Sequence, residues 1–323
     1  MGNGFFANAD SRFALGPVRD YVGYAGQPPR IEWPGGAKVA VQIVVNYEEG
    51  SEKSFAMGDG VNDVMHEIPF HLDGTRDLCV ESIYEYGSRA GIWRIFRVLD
   101  EANVPVTFFA CAVALERNPA VAEKIRGRKD EVASHGYRWS NAFEMTREEE
   151  REAINLAVES LTRSVGVRPV GWYSREMSIN TRELVVEEGG FLYDSECYND
   201  DLPYWTLVGE RPHLVVPYSL VVNDARFVLP QGYGSPEHFF EYAKATLDRL
   251  RNDGDDVARM MSVGLHSRFT GHPARADALA RFIDYGSKFD DVWFGRRVEI
   301  AETFVEQCPA DMDRIKSLPT YAT

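Results

Sequence analysis

Short apolar runs that stop abruptly at polar residues alternate along this chain with stretches of helical spacing. The first run, residues 41–45, leads straight into Asn46-Tyr47-Glu48-Glu49-Gly50. A continuous apolar run that ends at a pair of acids reads as a buried parallel strand with carboxylates at its C-terminal end. In α/β folds that end is where ligands bind. Strands are predicted over 38–48, 106–112, 130–137, 171–174, 191–197, 214–222, 260–266 and 292–294. Helical spacing marks 87–102, through Ile92, Ile95, Phe96 and Leu99, and a short segment from Asn118 to Arg128. It also marks 146–165, opened by the capping box Thr146/Glu149, then 180–188, 235–251, 273–285 and 299–306.

Strand and helix alternate without a linker rich in Gly, Ser or charge. The pattern predicts one α/β domain, a distorted (β/α) barrel of seven or eight parallel strands over 38–308. An arm (1–37) precedes it and a tail (309–323) follows. The segment 49–79 is long, polar and without period, and carries His66 and His71; such a connection is usually functional or an interface.

The 323 residues, 44% apolar and 26% charged, supply a sizeable core. A net charge of −15 argues against nucleic acid or an anionic membrane as partner and suits a small polar substrate. No signal-peptide pattern and no run of transmembrane length is present, so a cytoplasmic enzyme is expected. The four cysteines form no CxxC cluster; Cys111 and Cys197 fall in strand-like runs and read as buried free thiols.

Four strand ends carry groups able to do acid–base work or hold a polar ligand. Glu48 and Glu49 end the first strand, His135 the third, Asn223-Asp224 follow the sixth, and His266 with Arg268 follow the seventh. Neighbours on a strand point to opposite faces, so only one of Glu48 and Glu49 faces inward. Other polar groups have plainer readings. Glu148-Glu149-Glu150 reads as the acidic first turn of a solvated helix, and the stretch from Asp200 to Trp205 as turn material. Trp172 and Trp205 read as core packing.

From about residue 21 to 304 the chain resembles the polysaccharide deacetylase (NodB-homology) superfamily, in particular its cofactor-free allantoinase branch and the related cyclic imide hydrolases. The resemblance rests on VQIVVNYEEG, ESIYEYGSRAG, SHGYRW, RPVGWYSRE, DDLPYW, YSLVVNDARF and LHSRFTGHPAR. In the metal-dependent members two aspartates occupy the positions of Glu48 and Glu49, and a His-x-x-x-His motif supplies two ligands. Here His135 matches the first histidine and Trp139 stands at the second. Tyr173 stands where the family carries a strand-end arginine, with Arg175 two residues on, and Leu265-His266 matches the last motif. Trp cannot ligate zinc, and one His with one carboxylate falls short of the three protein ligands a catalytic zinc takes. His66 and His71 are not recommended by spacing. No metal is therefore expected, with Zn as the alternative.

The resemblance implies hydrolysis of a cyclic amide such as allantoin, another hydantoin or a cyclic imide. Without metal, Glu49, or Glu48 in the other register, is the expected general base, its pKa raised by burial under Tyr47 and Trp139. His266 is the expected general acid, and His135 with Arg175 or Arg268 the oxyanion partners. Asn223, Asp224 and Arg268 are candidates for binding the ring or ureido group. Glu81, Tyr84, Glu85 and Arg89 share a helical spacing and either brace the site or form a plain helix face. A homo-oligomer, a tetramer by resemblance, is expected. The competing readings are a metal-dependent N-deacetylase of acetylated sugars and an inactive member that binds a small polar ligand.

Overall fold

The strand β1, Val39–Tyr47, is buried along its whole length and is the hub of the sheet. In the computed structural model, which describes residues 17, 19–65, 67–68, 70–253 and 257–317, it pairs in parallel with three others. These are β2 (Thr107–Ala110), β8 (Arg259–His266) and β9 (Val292–Phe294). β9 takes the N-terminal half of one edge and β2 the C-terminal half. The sheet continues from β2 through β3 (Glu131–Ser134), β4 (Gly171–Trp172) and β5 (Tyr193–Asp194) to the hairpin β6 (Tyr204–Val208) and β7 (Arg211–Val215). All pairings are parallel except β6 with β7. The architecture is thus an α/β fold with a curled, largely parallel sheet.

Period-two alternation sorts β1 into two faces. Val39, Val41, Ile43, Val45 and Tyr47 pack outward against helices. Those helices include α2, one of α1 (Leu78–Tyr86), α2 (Ile92–Ala102), α3 (Ala112–Arg117), α4 (Pro119–Arg128), α5 (Arg147–Val165), α6 (Thr181–Glu188), α7 (Pro236–Arg251), α8 (Ser267–Thr270), α9 (Pro273–Gly286), α10 (Arg297–Gln307) and α11 (Met312–Ser317). Ala40, Gln42, Val44 and Asn46 face the lumen, where Val44 meets Phe109, Ala133, Tyr173 and Tyr218.

Arg297, the first residue of α10, plugs that lumen. Its guanidinium donates to Gln42 on β1, Ser262 on β8, Ser195 after β5, and the carbonyls of Val216 and Pro217 after β7. One side chain can reach from β8, at one end of the strand order, to the exit of β7, next to the other end, only because the sheet is curled. Met260 N donating to Asp201 O at 3.0 Å ties the same two sides together.

Several predicted boundaries move. The helix expected from residue 87 begins at Leu78, because Asp77 accepts from the amides of Cys79 and Val80 as an N-cap. A π-turn over Gly87–Gly91 joins it to α2. Of the strand expected at 214–222 only Leu214 and Val215 are strand, as the end of β7, which pairs back on β6 in a hairpin turning at Gly209 with φ 60°; 216–222 lie outside any strand. Asn118 does not cap α4 with its side chain; it donates to Ser88 Oγ at 2.9 Å. Of the arm, Ile31, Trp33 and Ala37 are core, packed with Ala40, Met260 and Ile300. Residues 1–16 and 318–323 of the proposed arm and tail lie outside the described residues. No helix among the described residues is long and apolar enough to cross a membrane.

Candidate active site

Continuing the alternation of β1 by one step turns Glu48 inward at the C-terminal mouth of the sheet, where the ends of β3 and β8 bring His135 and His266. Glu48 Oε1 lies 3.1 Å from His135 Nε2 and 3.7 Å from His266 Nε2, and Oε2 lies 2.7 Å from Arg268 Nη1. All four residues are buried. The contact with Arg268 is close but poorly aligned, and both of its atoms are left without a hydrogen bond. Burial would push the Glu48 carboxyl up. Arg268, His266 and His135 outweigh burial and hold it well below the usual carboxylate range, contrary to the elevation expected from aromatic walls.

Each histidine is oriented from behind. His135 Nδ1 donates to the Tyr173 carbonyl at 2.9 Å, and its ring stacks on that of Tyr173. With Nδ1–H spent on a carbonyl, Nε2 bonds Glu48 only if a proton lies between them, so the pair shares one. His266 Nδ1 contacts Asp224 Oδ1 at 2.6 Å, which directs Nε2 toward Glu48. Asp224 also accepts from the His266 and Thr270 amides and from Thr270 Oγ1.

The remaining predicted residues divide. Trp139 and Arg268 stand at the site: the guanidinium lies over the rings of Tyr84, Phe269 and Trp139 at 4.8, 4.8 and 5.2 Å. Arg175 lies on the rim, stacked on Trp139 at 3.8 Å and ion-paired with Asp63 at 2.7 Å. Four residues are corrected. Glu49, first choice as base, spends its oxygens on the amides of Glu48 and Arg268, and Gly87 presses so close that a Cβ there would fall 2.6 Å from Glu49 Oε1. Tyr47 faces the helix layer and bonds Ser88. Asn223 bonds Tyr218 and the Ala225 amide behind β8. Asp224 is consumed by His266 and Thr270, so neither residue of this pair is placed to bind a ligand.

Outside the site, Glu150 is buried on Ser178 and Thr181 rather than solvated. Trp172 and Trp205 pack in the core. Asp200 and Asp201 serve a turn, accepting from Leu202 and Met260. The polar segment 49–77 braces the mouth, since the carbonyls of Ser51 and Glu52 receive Trp139 N and Arg138 Nη2. Cys111 is buried and Cys197 half-buried, and both are free thiols. Tyr84, known from the sequence only as one of a helical face, closes the site over Arg268.

The donor set does not fit a zinc ion. Trp139 has no ligand atom to offer, Glu49 is spent on backbone amides, and a guanidinium already stands beside Glu48. Among the described residues no three His, Cys, Asp or Glu side chains are arranged to hold a metal ion. His71 pairs with Asp73 at 3.1 Å on the surface, and His66 lies outside the described residues.

Comparison with known proteins gives the family. The sequence pattern of the family Polysaccharide deacetylase matches residues 73–187. A Schizosaccharomyces pombe protein named "Putative polysaccharide deacetylase" is 35% identical over 314 residues, 90% of this chain and 98% of that one. The chain belongs to the polysaccharide deacetylase family. Solved structures of this family enzyme's relatives include the "probable Polysaccharide deacetylase" of Pseudomonas aeruginosa PAO1, 46% identical with TM-score 0.87. PuuE allantoinase is 44% identical with TM-score 0.88. Both comparisons cover 91% of this chain and 99% of the other.

Proposed function

We propose that this polysaccharide deacetylase family enzyme is an amidohydrolase that opens a cyclic amide, of the class of allantoin, other hydantoins and cyclic imides, without a metal ion. The observation that carries the reading is the mouth of β1. There Glu48 sits between His135, His266 and Arg268, with Trp139 at the position of the second motif histidine. The 44% identity to PuuE allantoinase supports the substrate class.

Glu48 is the general base and removes a proton from water as its oxygen adds to the ring carbonyl. His135 fixes the carboxylate, and the Arg268 guanidinium meets the charge that develops on the carbonyl oxygen. His266, whose Nδ1–H is held by Asp224, takes that proton from Glu48 at Nε2, 3.7 Å away, and passes it to the departing ring nitrogen. Water has then been divided into a carboxylic acid and an N–H, and Glu48 is a carboxylate again. A carboxylate held this low is a modest base. It suits a carbonyl whose nitrogen already bears a second acyl group, and an N-acetyl sugar offers no such activation.

Acid release from a panel of cyclic amides and N-acetylated sugars, before and after dialysis against a chelator, tests the proposal. Chelator-resistant opening of a cyclic amide is expected. Turnover of acetylated sugars alone, or turnover abolished by the chelator and restored by zinc, defeats it.

A further inference from the structure

Six tyrosines among the described residues are buried: Tyr47, Tyr84, Tyr173, Tyr193, Tyr218 and Tyr233. Five spend their hydroxyls, on Ser88, Tyr198, Glu131, Asn46 with Asn223, and the Val221 carbonyl. Tyr84 is the exception. It is 1% exposed and its Oη has no partner. A buried hydroxyl without a partner is disfavoured against a phenylalanine of the same shape, so its presence calls for a reason.

The location supplies one. Tyr84 sits on α1 with the Arg268 guanidinium over its ring at 4.8 Å and Trp139 edge-on at 6.3 Å. Arg268 Nε and Nη1 and Glu48 Oε2 are also buried without hydrogen bonds. Arg268 Nη1 and Glu48 Oε2 form a 2.7 Å ion pair without an aligned hydrogen bond, so the donors left with no partner around this carboxylate are Tyr84 Oη and Arg268 Nε. Burial pushes the Tyr84 phenol well above its ordinary range, so the hydroxyl keeps its proton. The atom it awaits is an acceptor that grows more negative beside a cation.

We propose that the Tyr84 hydroxyl is a catalytic hydrogen-bond donor that, with Arg268, receives the carbonyl oxygen of the cyclic amide as it becomes an oxyanion. The assignment rests on the cyclic-amide reading above. Tyr84 keeps its proton throughout and forms no covalent bond; it strengthens one hydrogen bond as charge builds on the oxygen.

The test is Tyr84→Phe, which keeps the ring under Arg268 and removes one oxygen. With the cyclic amide that wild type opens, kcat is expected to fall about 100-fold with KM changed less than about threefold. The melting temperature is expected to hold or rise, because an unpaired buried hydroxyl has gone. A kcat within twofold of wild type overturns the proposal, as does a loss confined to KM. Calorimetric binding of the ring-opened carboxylate separates this proposal from the reading beneath it. Should wild type open no cyclic amide yet bind the acid with an affinity that falls about tenfold in Tyr84→Phe, the substrate reading fails and the donor site stands. Should wild type neither open the amide nor bind the acid, both fall.

Discussion

Three arginines are buried among the described residues; Arg182 is paired with Asp194, and the other two, Arg297 and Arg268, are used in opposite ways. Arg297, in the lumen, has an acceptor on every guanidinium nitrogen, all of them neutral oxygens. Arg268, at the mouth, has two carboxylates and three aromatic rings around it, yet its Nε and Nη1 make no aligned hydrogen bond. A structural arginine is one whose donors are spent. The other has been left with capacity, and capacity held in a desolvated place is what a reacting group can draw on.

The comparison breaks if activity does not follow the unspent side. Glu48→Gln is expected to lower kcat about 1,000-fold with the fold intact, by loss of the base. Glu49→Gln should register chiefly as a lower melting temperature, since Glu49 anchors backbone. Equal kinetic losses in both would put the division at the mouth in error. Arg297→Met strands five acceptors and is expected to cost about 3 kcal/mol or more in urea unfolding. Arg268→Met should cost less stability and about 100-fold in kcat. Unfolding curves and turnover on the same preparations decide it. Asp224→Asn turns one of two acceptor oxygens into a donor, so His266 Nδ1–H and the donors of Thr270 and the His266 amide can no longer all be met, and it is expected to lower kcat about 100-fold with KM little changed. A pure KM effect would instead return Asp224 to substrate binding.

A test of another kind concerns a buried carboxylate in the structural part. Burial pushes Glu196 up to about 7 from the ordinary 4.5, with its Oε1 on Trp172 Nε1 and on the amide and hydroxyl of Ser174. The folded state holds this proton more tightly than the unfolded chain. The stability it contributes is therefore complete below about 4.5 and lost as pH rises to about 7, at about 1.4 kcal/mol per unit. Glu196→Gln keeps an acceptor oxygen and should flatten that slope in melting experiments across the window. An unchanged slope would mean that Glu196 titrates normally.

Much of this was legible in the sequence, and what was not has physical causes. The capping box at Thr146 and Glu149, the strand over Val292–Phe294 and the helix opened by Ser235-Pro236 were signalled by local chemistry that tertiary contacts did not override. The hairpin β6–β7 was missed because Pro203, Pro212 and the charged turn hide its alternation. Period two says that Glu48 and Glu49 face apart, but not which face is the lumen; only the packing of Val45 and Tyr47 against helices settles that. Asp224 at a strand end looks the same whether it touches a ligand or braces a histidine. Tyr84 escaped because its signal is a missing partner, which no string of residues displays.

The three partners of β1 carry a consequence for how the chain is made. Its neighbours β8 and β9 lie more than 200 residues downstream, and so does the arginine that fills the lumen. A ribosome therefore delivers the hub strand long before most of what covers it. The nascent polypeptide must wait with one whole edge of that apolar ribbon unpaired, so assembly is expected to be slow and completed only after synthesis.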